Sequence, residues 1–409
     1  MNAKIILFLA IICSILTITD KTIQANEHQL DKHIVEEFGL EFALNYLKAS
    51  RVHDEMWELI PRSPEGELMH PTYYGGHFIC KKGKFNFNIV GSLMAEAKNG
   101  VFAELFTRDV VQIRAVDFSH QELTAMLDVI YRFVSDNPDS ELKIVTWGID
   151  SPRNKVVVQM QEYSSEKKAL FERDVVGSPM VVLEEGQPVK TLVPRGFEQS
   201  EQEMAVVSDN IKHFQAGMRI FIGTSGFSAG YPAERGRDAG FVTALHGLPL
   251  DEELVRLGQP NGPIIGVVTA PIRNEGSVDG AFISLQQSII DKTIDNKTLI
   301  HSDMRPAQGM ILTSVSTPPD GVTRVQRNIV VSNTHFNADF GGGLVLTNLI
   351  QTTGDALYGE SGGLVFRPVG NDAQVKGVIV GSDSDSVKGE HMFFSWAGDI
   401  NSKINVTQP

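Results

Sequence analysis

The chain has 409 residues, of which 42% are apolar and 21% are charged, with 37 glycines and 18 prolines. This composition is typical of globular protein and excludes fibrous and disordered chains, and the length favours two domains over one. The formal net charge of −14 argues against a nucleic-acid partner, because phosphate contacts require a cationic face.

Residues 1–25 have the pattern of a secretory signal peptide. Lys4 supplies a positive start, an apolar run follows over residues 5–19, and a small-residue exit at Ala25 predicts the cleavage point. Asp20 ends the run before it reaches the roughly 20 residues that a membrane span needs. We therefore expect an exported protein, secreted or periplasmic, with no membrane partner.

Cysteine usage predicts a mature protein without an internal disulfide. Cys13 falls within the expected signal peptide, so Cys80 is the one cysteine that remains. For Cys80 the sequence favours a small buried apolar residue over a reactive thiol. Packing would therefore have to stabilise the fold.

Residues 26–176 predict a small α+β domain. Helical and strand patterns alternate along this stretch. Ser119 followed by Glu122 is a capping box that places the start of one helix. In chain order we expect a helix, a hairpin, a second helix and two strands, over residues 33–49, 73–90, 119–134 and 144–159.

The second half of the chain differs in texture from the first. Residues 177–216 contain three prolines among acidic and small polar residues, which predicts an exposed connector where proteolysis concentrates. From residue 217 to 409 short β-rich segments are separated by glycines, which predicts a sandwich or barrel. The clearest of these segments are 219–223, 240–244, 264–268, 280–284 and 375–381.

Three short segments in this half carry residues suited to nucleophilic catalysis. Ser361 lies among glycines, which let the chain turn so that backbone N–H groups converge on a carbonyl oxygen under attack. The N–H groups of Gly359 and Ser361 would form this oxyanion hole. His246 ends an apolar strand, where an imidazole can act as a general base. Asp279 lies one residue before the next of the short strands.

Each segment alone has a plain structural explanation, namely a glycine-rich turn, an isolated histidine or an acid that starts a strand. The set is more specific, because a serine alkoxide needs a base and the base needs an orienting carboxylate. All three residue types occur within one predicted domain, in the order His246, Asp279, Ser361. The combination therefore favours a serine nucleophile.

This order, with its strand contexts, resembles the chymotrypsin-like serine proteases, most closely the bacterial branch of streptogrisins and alpha-lytic protease. The specific motifs are Thr-Ala-x-His, ending at His246, and Gly-x-Ser-Gly-Gly, around Ser361. The resemblance covers residues 217–405 and implies an all-β, trypsin-like catalytic domain of two six-stranded antiparallel Greek-key barrels. It also implies that Ser361 is acylated, His246 is the base and Asp279 fixes the imidazole tautomer.

The stretch before the connector is similar to the N-terminal pro-regions of these proteases. The similarity is carried by Tyr74-Gly75-Gly76 before the hairpin, by the helix from Ser119, and by Gly148-Ile149-Asp150. It implies a zymogen whose pro-region is an intramolecular inhibitor and a folding chaperone. If the substrate pocket takes basic residues, Arg195 and Lys212 are the expected processing sites in the connector.

The substrate pocket has alternative interpretations. Asp355 lies six residues before Ser361, where trypsin-like relatives carry the acid of a pocket for Lys or Arg, and it fits a surface-loop acid equally well. His391 could reach the pocket too, which would instead suit an acidic substrate side chain. The resemblance places the pocket wall at Gly381, Ser382 and Asp383.

Glu360 stands where the family carries Asp before the nucleophile. Because this acid is longer, the alternative to a peptidase is a protease-like binding protein without turnover. We expect protein or peptide substrates, and an ester substrate would use the same acyl chemistry. We expect no cofactor and no metal. No His-Glu-x-x-His motif occurs, and residues 382–386 fit a solvated turn better than a calcium loop.

Overall fold

The computed structural model describes residues 30–64, 67–192, 213–246, 254–272, 278–286, 289–341, 344–383 and 391–408. The expected signal peptide and both candidate processing sites, Arg195 and Lys212, lie outside these residues. Within the described ranges, no helix is long and apolar enough to cross a membrane.

The helices lie in the N-terminal region, residues 30–192, and at the C-terminal end of the described chain. Two short 3₁₀ turns, Gly91–Leu93 and Ala103–Thr107, accompany them. The α-helices are α1 Lys32–Phe38, α2 Leu40–Leu59, α3 Met94–Ala97, α4 His120–Asp136, α5 Ser165–Asp174 and α6 Ala397–Ile404.

A three-stranded sheet in the N-terminal region consists of β1 Tyr74–Ile79, β2 Phe85–Val90 and β3 Val111–Val116. The predicted hairpin is confirmed as the antiparallel pair β1 and β2, and β3 lies parallel to β2. The helix expected over residues 33–49 is instead two helices. Gly39, with a φ of 85°, separates α1 from α2, because this left-handed backbone interrupts the helical hydrogen bonds.

Three further strands lie in the N-terminal region, β4 Ile144–Asp150, β5 Lys155–Met160 and β6 Val181–Glu185. The two predicted strands are confirmed as β4 and β5, and β6 lies parallel to β5. The predicted capping box of α4 is also confirmed, with Ser119 and Glu122 bonded reciprocally. The apolar face of α4 shares a buried cluster with Trp147 of β4.

A seven-stranded antiparallel sheet begins the C-terminal region, residues 213–408. Its strand order is β10-β9-β13-β14-β15-β12-β11. The bounds are β9 Arg219–Ile222, β10 Ser225–Ser228, β11 Pro232–Arg235, β12 Asp238–Thr243, β13 Leu254–Leu257, β14 Ile264–Pro271 and β15 Ala281–Leu285. Beside it, β8 His213–Phe214 pairs in parallel with β16 Ile289–Ile290.

A closed antiparallel barrel follows, in which six strands pair in the ring β19-β20-β21-β24-β23-β22. Its bounds are β19 Ile311–Ser316, β20 Arg324–Asp339, β21 Val345–Thr352, β22 Leu364–Val369, β23 Asp372–Ser382 and β24 Met392–Trp396. The short strands β17 Thr293–Ile294 and β18 Lys297–Ile300 extend it along β23. The expected pair of six-stranded barrels is not confirmed, because the seven-stranded sheet keeps an open strand order in the described residues.

The N-terminal region and the barrel share one continuous sheet. β4 pairs antiparallel with the distal half of β20, with Trp147 opposite Asn337. The stretch expected to be an exposed connector contributes β6, and it also contributes β7, Lys190–Thr191, which pairs with β23. The connector is therefore partly built into the sheet, because its backbone groups find ladder partners that sequence composition does not reveal.

Side chains of α2 make a second junction with the barrel. The Tyr46 hydroxyl accepts a hydrogen bond from the Ile311 N–H at 2.9 Å. The guanidinium of Arg367 in β22 donates to both carboxylate oxygens of Asp54, at 2.9 and 2.5 Å. Arg367 is buried, so this bidentate ion pair lies inside the contact between the two regions.

Candidate active site

Ser361 lies in the loop between β21 and β22, at the junction of the barrel with the seven-stranded sheet. The glycines at 359 and 362 have φ angles of 83° and 85°, which lets the chain turn sharply on both sides of the serine. The Ser361 carbonyl accepts a hydrogen bond of 2.7 Å from the N–H of Ser228 in β10. This bond ties the serine loop to the opposite sheet.

His246 lies just beyond the end of β12, with a φ of 32°. Its Nε2 contacts the Ser361 Oγ, and its Nδ1 is 2.5 Å from Oδ2 of Asp279. The structure thus brings together the three residues that the sequence motifs singled out. They come from two sheets, since His246 and Asp279 flank strands of the seven-stranded sheet and Ser361 precedes β22 of the barrel.

Asp279 is buried and holds the histidine by its backbone as well as by its ring. Its Oδ1 accepts hydrogen bonds from the N–H groups of Leu245 and His246, at 2.9 and 2.8 Å. Burial opposes ionisation, but the charge of His246 and these hydrogen bonds outweigh it, so the pKa of Asp279 is lowered. A carboxylate that stays ionised can orient the imidazole and stabilise its protonated form.

Gly359 presents a backbone donor beside the serine. Its N–H donates a 2.7 Å hydrogen bond to the carbonyl oxygen of Leu192. Its own carbonyl accepts a 3.1 Å hydrogen bond from the hydroxyl of Ser228, which holds the next peptide, between Gly359 and Glu360. The oxyanion roles of the Gly359 and Ser361 N–H groups stay predictions.

Glu360 points away from the serine into a polar anchor. Its Oε2 accepts a hydrogen bond of 2.7 Å from the Leu357 N–H and is 3.2 Å from a guanidinium nitrogen of Arg324. Burial raises the pKa of Glu360 in spite of these partners. The longer acid therefore still holds the loop that carries Gly359 and Ser361.

Asp355 shares the same arginine. Its Oδ1 is 2.5 Å from Nη2 of Arg324, and its carbonyl accepts a 2.5 Å hydrogen bond from Gln326. The expectation that Asp355 offers an unpaired acid to a Lys or Arg side chain is therefore not supported by its surroundings. A cation already neutralises this carboxylate within the barrel.

The other expected pocket residues lie at the end of β23. Gly381 and Ser382 pair with β7, opposite Thr191 and Lys190. The carboxylate of Asp383 is 2.5 Å from Nδ1 of His391, so this imidazole has an acid of its own chain as partner. The rest of the solvated turn predicted over residues 382–386 lies outside the described residues.

Sequence inspection missed four contributors to this site. Ser228 donates to the Gly359 carbonyl, Arg324 pairs with two acids, and the hydroxyl of Ser395 accepts a 3.1 Å hydrogen bond from the Asp279 N–H. The Leu192 carbonyl, at the end of the N-terminal region, accepts from the Gly359 N–H. None of these lies near a recognisable motif, because each reaches the site only through long-range packing.

Within the described ranges, no group of three or more His, Cys, Asp or Glu side chains is arranged to hold a metal ion. A proton on the Ser361 Oγ can pass to the His246 Nε2, and an oxyanion beside the serine would meet the Gly359 N–H.

Comparison with known proteins gives one family and a set of solved structures. A family described as a Pro-like C-terminal domain matches residues 121–186, the stretch from α4 to β6. No curated protein matches the chain.

The solved structures are similar at low identity and match about half of this chain. Thermobifida fusca protease A is 20% identical with a TM-score of 0.38, over 48% of this chain and 97% of its own. A Nocardiopsis protease is 19% identical with a TM-score of 0.39, over 47% and 97%. An alpha-lytic protease homologue is 14% identical with a TM-score of 0.37, over 48% and 98%. The chain is thus similar, at low identity, to bacterial chymotrypsin-like serine proteases.

Proposed function

We propose that this chain is an exported serine endopeptidase that is synthesised as a zymogen. The observation that supports it most is a single arrangement, in which His246 contacts the Ser361 Oγ through one ring nitrogen and Asp279 through the other. Such a relay matters only where a hydroxyl must become a nucleophile. Residues 1–25 would direct the protein to the periplasm or the medium.

The proposed reaction proceeds through an acyl-enzyme. The Ser361 Oγ attacks a substrate carbonyl carbon while His246 Nε2 accepts the serine proton, and the oxyanion receives the Gly359 N–H. The carbon–nitrogen bond then breaks, and His246 returns the proton to the leaving amine. Water, deprotonated by His246, releases the acyl group. Asp279 stabilises the imidazolium in both halves of the reaction.

The N-terminal region would be the pro-region, acting as inhibitor and folding helper. Its last described residues lie against Gly359 and β23, where they would exclude other peptides from the serine. Its strand β4 pairs with the distal half of β20, whose partner there is β21. Strands far apart in sequence pair slowly. A β4 that has already formed would offer its backbone groups to β20 and so speed the formation of the hairpin of β20 and β21.

Glu360 raised the alternative of a binding protein without turnover. The Leu357 N–H and Arg324 both engage the Glu360 carboxylate, so the substitution keeps an anchor for the oxyanion loop. This geometry favours the peptidase over the binding protein.

Covalent labelling tests the proposal. The full chain, Ser361→Ala and the control Ser402→Ala, which changes an exposed serine of α6, are incubated with a fluorophosphonate probe. Labelling is followed by mass spectrometry. We expect wild type and Ser402→Ala to be labelled and Ser361→Ala to stay unmodified, because only an activated serine reacts. A wild type that stays unlabelled after limited proteolysis has released the N-terminal region would leave the binding protein as the better description.

A further inference from the structure

We infer that Ser228 is a positioning residue for the proposed acyl transfer. Its hydroxyl and its N–H group hold Gly359 and Ser361, the two residues whose backbone amides are the predicted oxyanion donors. The inference rests on the proposed function, because it concerns the rate at which Ser361 reacts. Ser228 lies in β10 of the seven-stranded sheet, outside the sequence motifs around the three proposed catalytic residues.

Two hydrogen bonds connect Ser228 to the loop of the nucleophile. Its Oγ donates to the Gly359 carbonyl at 3.1 Å, and its N–H donates to the Ser361 carbonyl at 2.7 Å. Ser228 and Ser361 are both fully buried, so these bonds are stronger than they would be in water. One residue of the opposite sheet therefore holds the carbonyl groups of both predicted donor residues.

The Gly359 carbonyl lies between the two predicted donors along the chain. It belongs to the peptide that joins Gly359 to Glu360, and the N–H groups of Gly359 and Ser361 belong to the peptides on either side. Because peptides are planar, rotation of the middle peptide changes dihedral angles that set the two N–H groups relative to each other. Gly359 has a φ of 83°, and glycine permits many orientations here. A hydrogen bond to the middle carbonyl selects one of them.

The hydroxyl of Ser228 is itself held in one orientation. Its Oγ accepts a 2.9 Å hydrogen bond from the Thr317 N–H, in the segment between β19 and β20. A hydroxyl has one proton to donate, and the Thr317 carbonyl, at 3.5 Å, is a more distant acceptor than the Gly359 carbonyl. The proton of Ser228 is therefore directed at Gly359.

Ser228 also contacts the strand that leads to the base. Its carbonyl accepts a 2.8 Å hydrogen bond from the hydroxyl of Thr243 in β12, the strand that precedes His246. The loop packs closely here, because a Cβ at Gly362 would lie 2.4 Å from the Ser228 carbonyl oxygen. Ser228 thus connects the loop of the nucleophile with the strand of the base.

Labelling kinetics test this role. Limited proteolysis of the folded full chain releases the N-terminal region, and a fluorophosphonate probe is then added at a series of concentrations. The maximum labelling rate measures the reaction at Ser361, and the probe concentration at half of that rate measures binding.

The hydroxyl of Ser228 should affect the reaction rather than binding, because oxyanion donors act on charge that develops during attack. In Ser228→Ala we expect the maximum labelling rate to fall by about 10- to 100-fold, while the half-maximal probe concentration stays within about threefold of wild type. The N–H of Ser228 remains in this variant and still holds the Ser361 carbonyl, so the loop keeps one of its two bonds.

Ser228→Cys separates the hydrogen bond from packing. The thiol fills nearly the same volume but is a weaker donor, so the maximum labelling rate should lie between those of wild type and Ser228→Ala. Ser314→Ala is the matched control. Ser314 of β19 is 1% exposed, and its hydroxyl has no hydrogen-bond partner among the described residues, so this variant should react at the wild-type rate. Urea denaturation of each full chain measures the accompanying change in the free energy of unfolding.

The outcomes separate this inference from the proposed function. If wild type is labelled at Ser361 and either Ser228 variant reacts at the wild-type maximum rate, the inference is overturned and the peptidase stands. An equal loss of rate in Ser314→Ala, or a change in Ser228→Ala confined to the half-maximal concentration, would also overturn it. A wild type that stays unlabelled after release of the N-terminal region would overturn both.

Discussion

The two sheets of the C-terminal region contribute unequally to the site. The seven-stranded sheet supplies the acid–base pair, His246 and Asp279, held by short hydrogen bonds within a buried setting. The closed barrel supplies Ser361 and the strand β23, with which β7 at the end of the N-terminal region pairs. It also makes both junctions with the N-terminal region, through β20 and through Arg367.

This difference separates chemistry from recognition. A proton relay needs a few atoms at fixed positions, which one buried carboxylate can provide. Recognition of a chain needs backbone groups that can pair with it, and the ends of the long strands β20 and β23 supply these by pairing with β4 and β7. Variants in the first sheet should therefore change turnover, and variants in the barrel's junctions should change how the N-terminal region is held.

The largest effect is expected from the acid–base pair. Asp279→Asn should lower kcat for peptide hydrolysis by about 10⁴-fold near neutral pH, because the amide favours the wrong imidazole tautomer. The control is Asp238→Asn, at the exposed start of β12, which should retain activity. If kcat of Asp279→Asn is within tenfold of that of wild type, Asp279 of the seven-stranded sheet does not take part in the reaction.

The next effect concerns the junction of α2 with the barrel. In the uncut Ser361→Ala background, Asp54→Ala should lower the free energy of unfolding by about 3 kcal/mol, because it leaves the buried Arg367 charge without a partner. Urea denaturation measures this change. Asp109→Ala removes an exposed partner of Lys48 and should cost less than about 1 kcal/mol. Equal losses in the two variants would contradict a special role for Arg367.

A histidine cluster between the N-terminal region and the barrel predicts a pH dependence. The rings of His70 and His335 both contact the ring of His120 edge to face, with ring centroids 4.8 Å apart in each pair. They line a cavity of about 1230 Å³ between the N-terminal region and the barrel. Burial lowers the pKa of His70 to about 4, and burial together with the charges of His70 and Arg305 lowers that of His120 to about 3.

The sign of the effect follows from these lowered pKa values. Below pH 6.5 these histidines bind protons in the unfolded chain but stay neutral in the folded protein. The free energy of unfolding that they contribute is therefore full above pH 6.5 and falls as the pH approaches 4 and then 3. Lowering a histidine pKa by one unit on folding corresponds to roughly 1.4 kcal/mol of this pH-dependent free energy. Urea midpoints of Ser361→Ala at pH 7.5 and 4.5 measure the loss, and His120→Gln should reduce it. If the difference between the two urea midpoints is the same in His120→Gln, the pH dependence arises from other groups.

The smallest effect concerns a helix far from the serine. Ser119→Ala should lower the free energy of unfolding by about 1 kcal/mol, because the capping box of α4 loses its hydroxyl. Ser135→Ala, at an exposed position inside the same helix, should not destabilise the protein. Fluorophosphonate labelling of Ser361 in the full chain should be the same in both variants, and a loss of labelling would show that α4 reaches the site.

Local patterns predicted much of this protein. The hairpin β1–β2, the strands β4 and β5, and the start of α4 follow from alternation and from one capping box, because these signals act over a few residues. His246, Asp279 and Ser361 were proposed from residue type, strand context and a family resemblance. The structure brings them together, and their catalytic roles stay a prediction. The confirmed elements depend on neighbours in sequence.

Such local patterns could not predict contacts between residues that are far apart in the chain. Asp355 carries the same charge in a substrate pocket as in an ion pair, and only the barrel places Arg324 against it. The connector's composition suggested exposure, yet β7 lies on β23 and Leu192 reaches Gly359.

Sequence by itself determined which residues can perform the chemistry, since a nucleophile, a base and an acid are recognisable by type and local setting. Tertiary structure alone decided which segment of the N-terminal region lies against them and which charges are already paired. The physical reason is that hydrogen bonds and ion pairs depend on distance in space, and folding joins residues as far apart as Asp54 and Arg367.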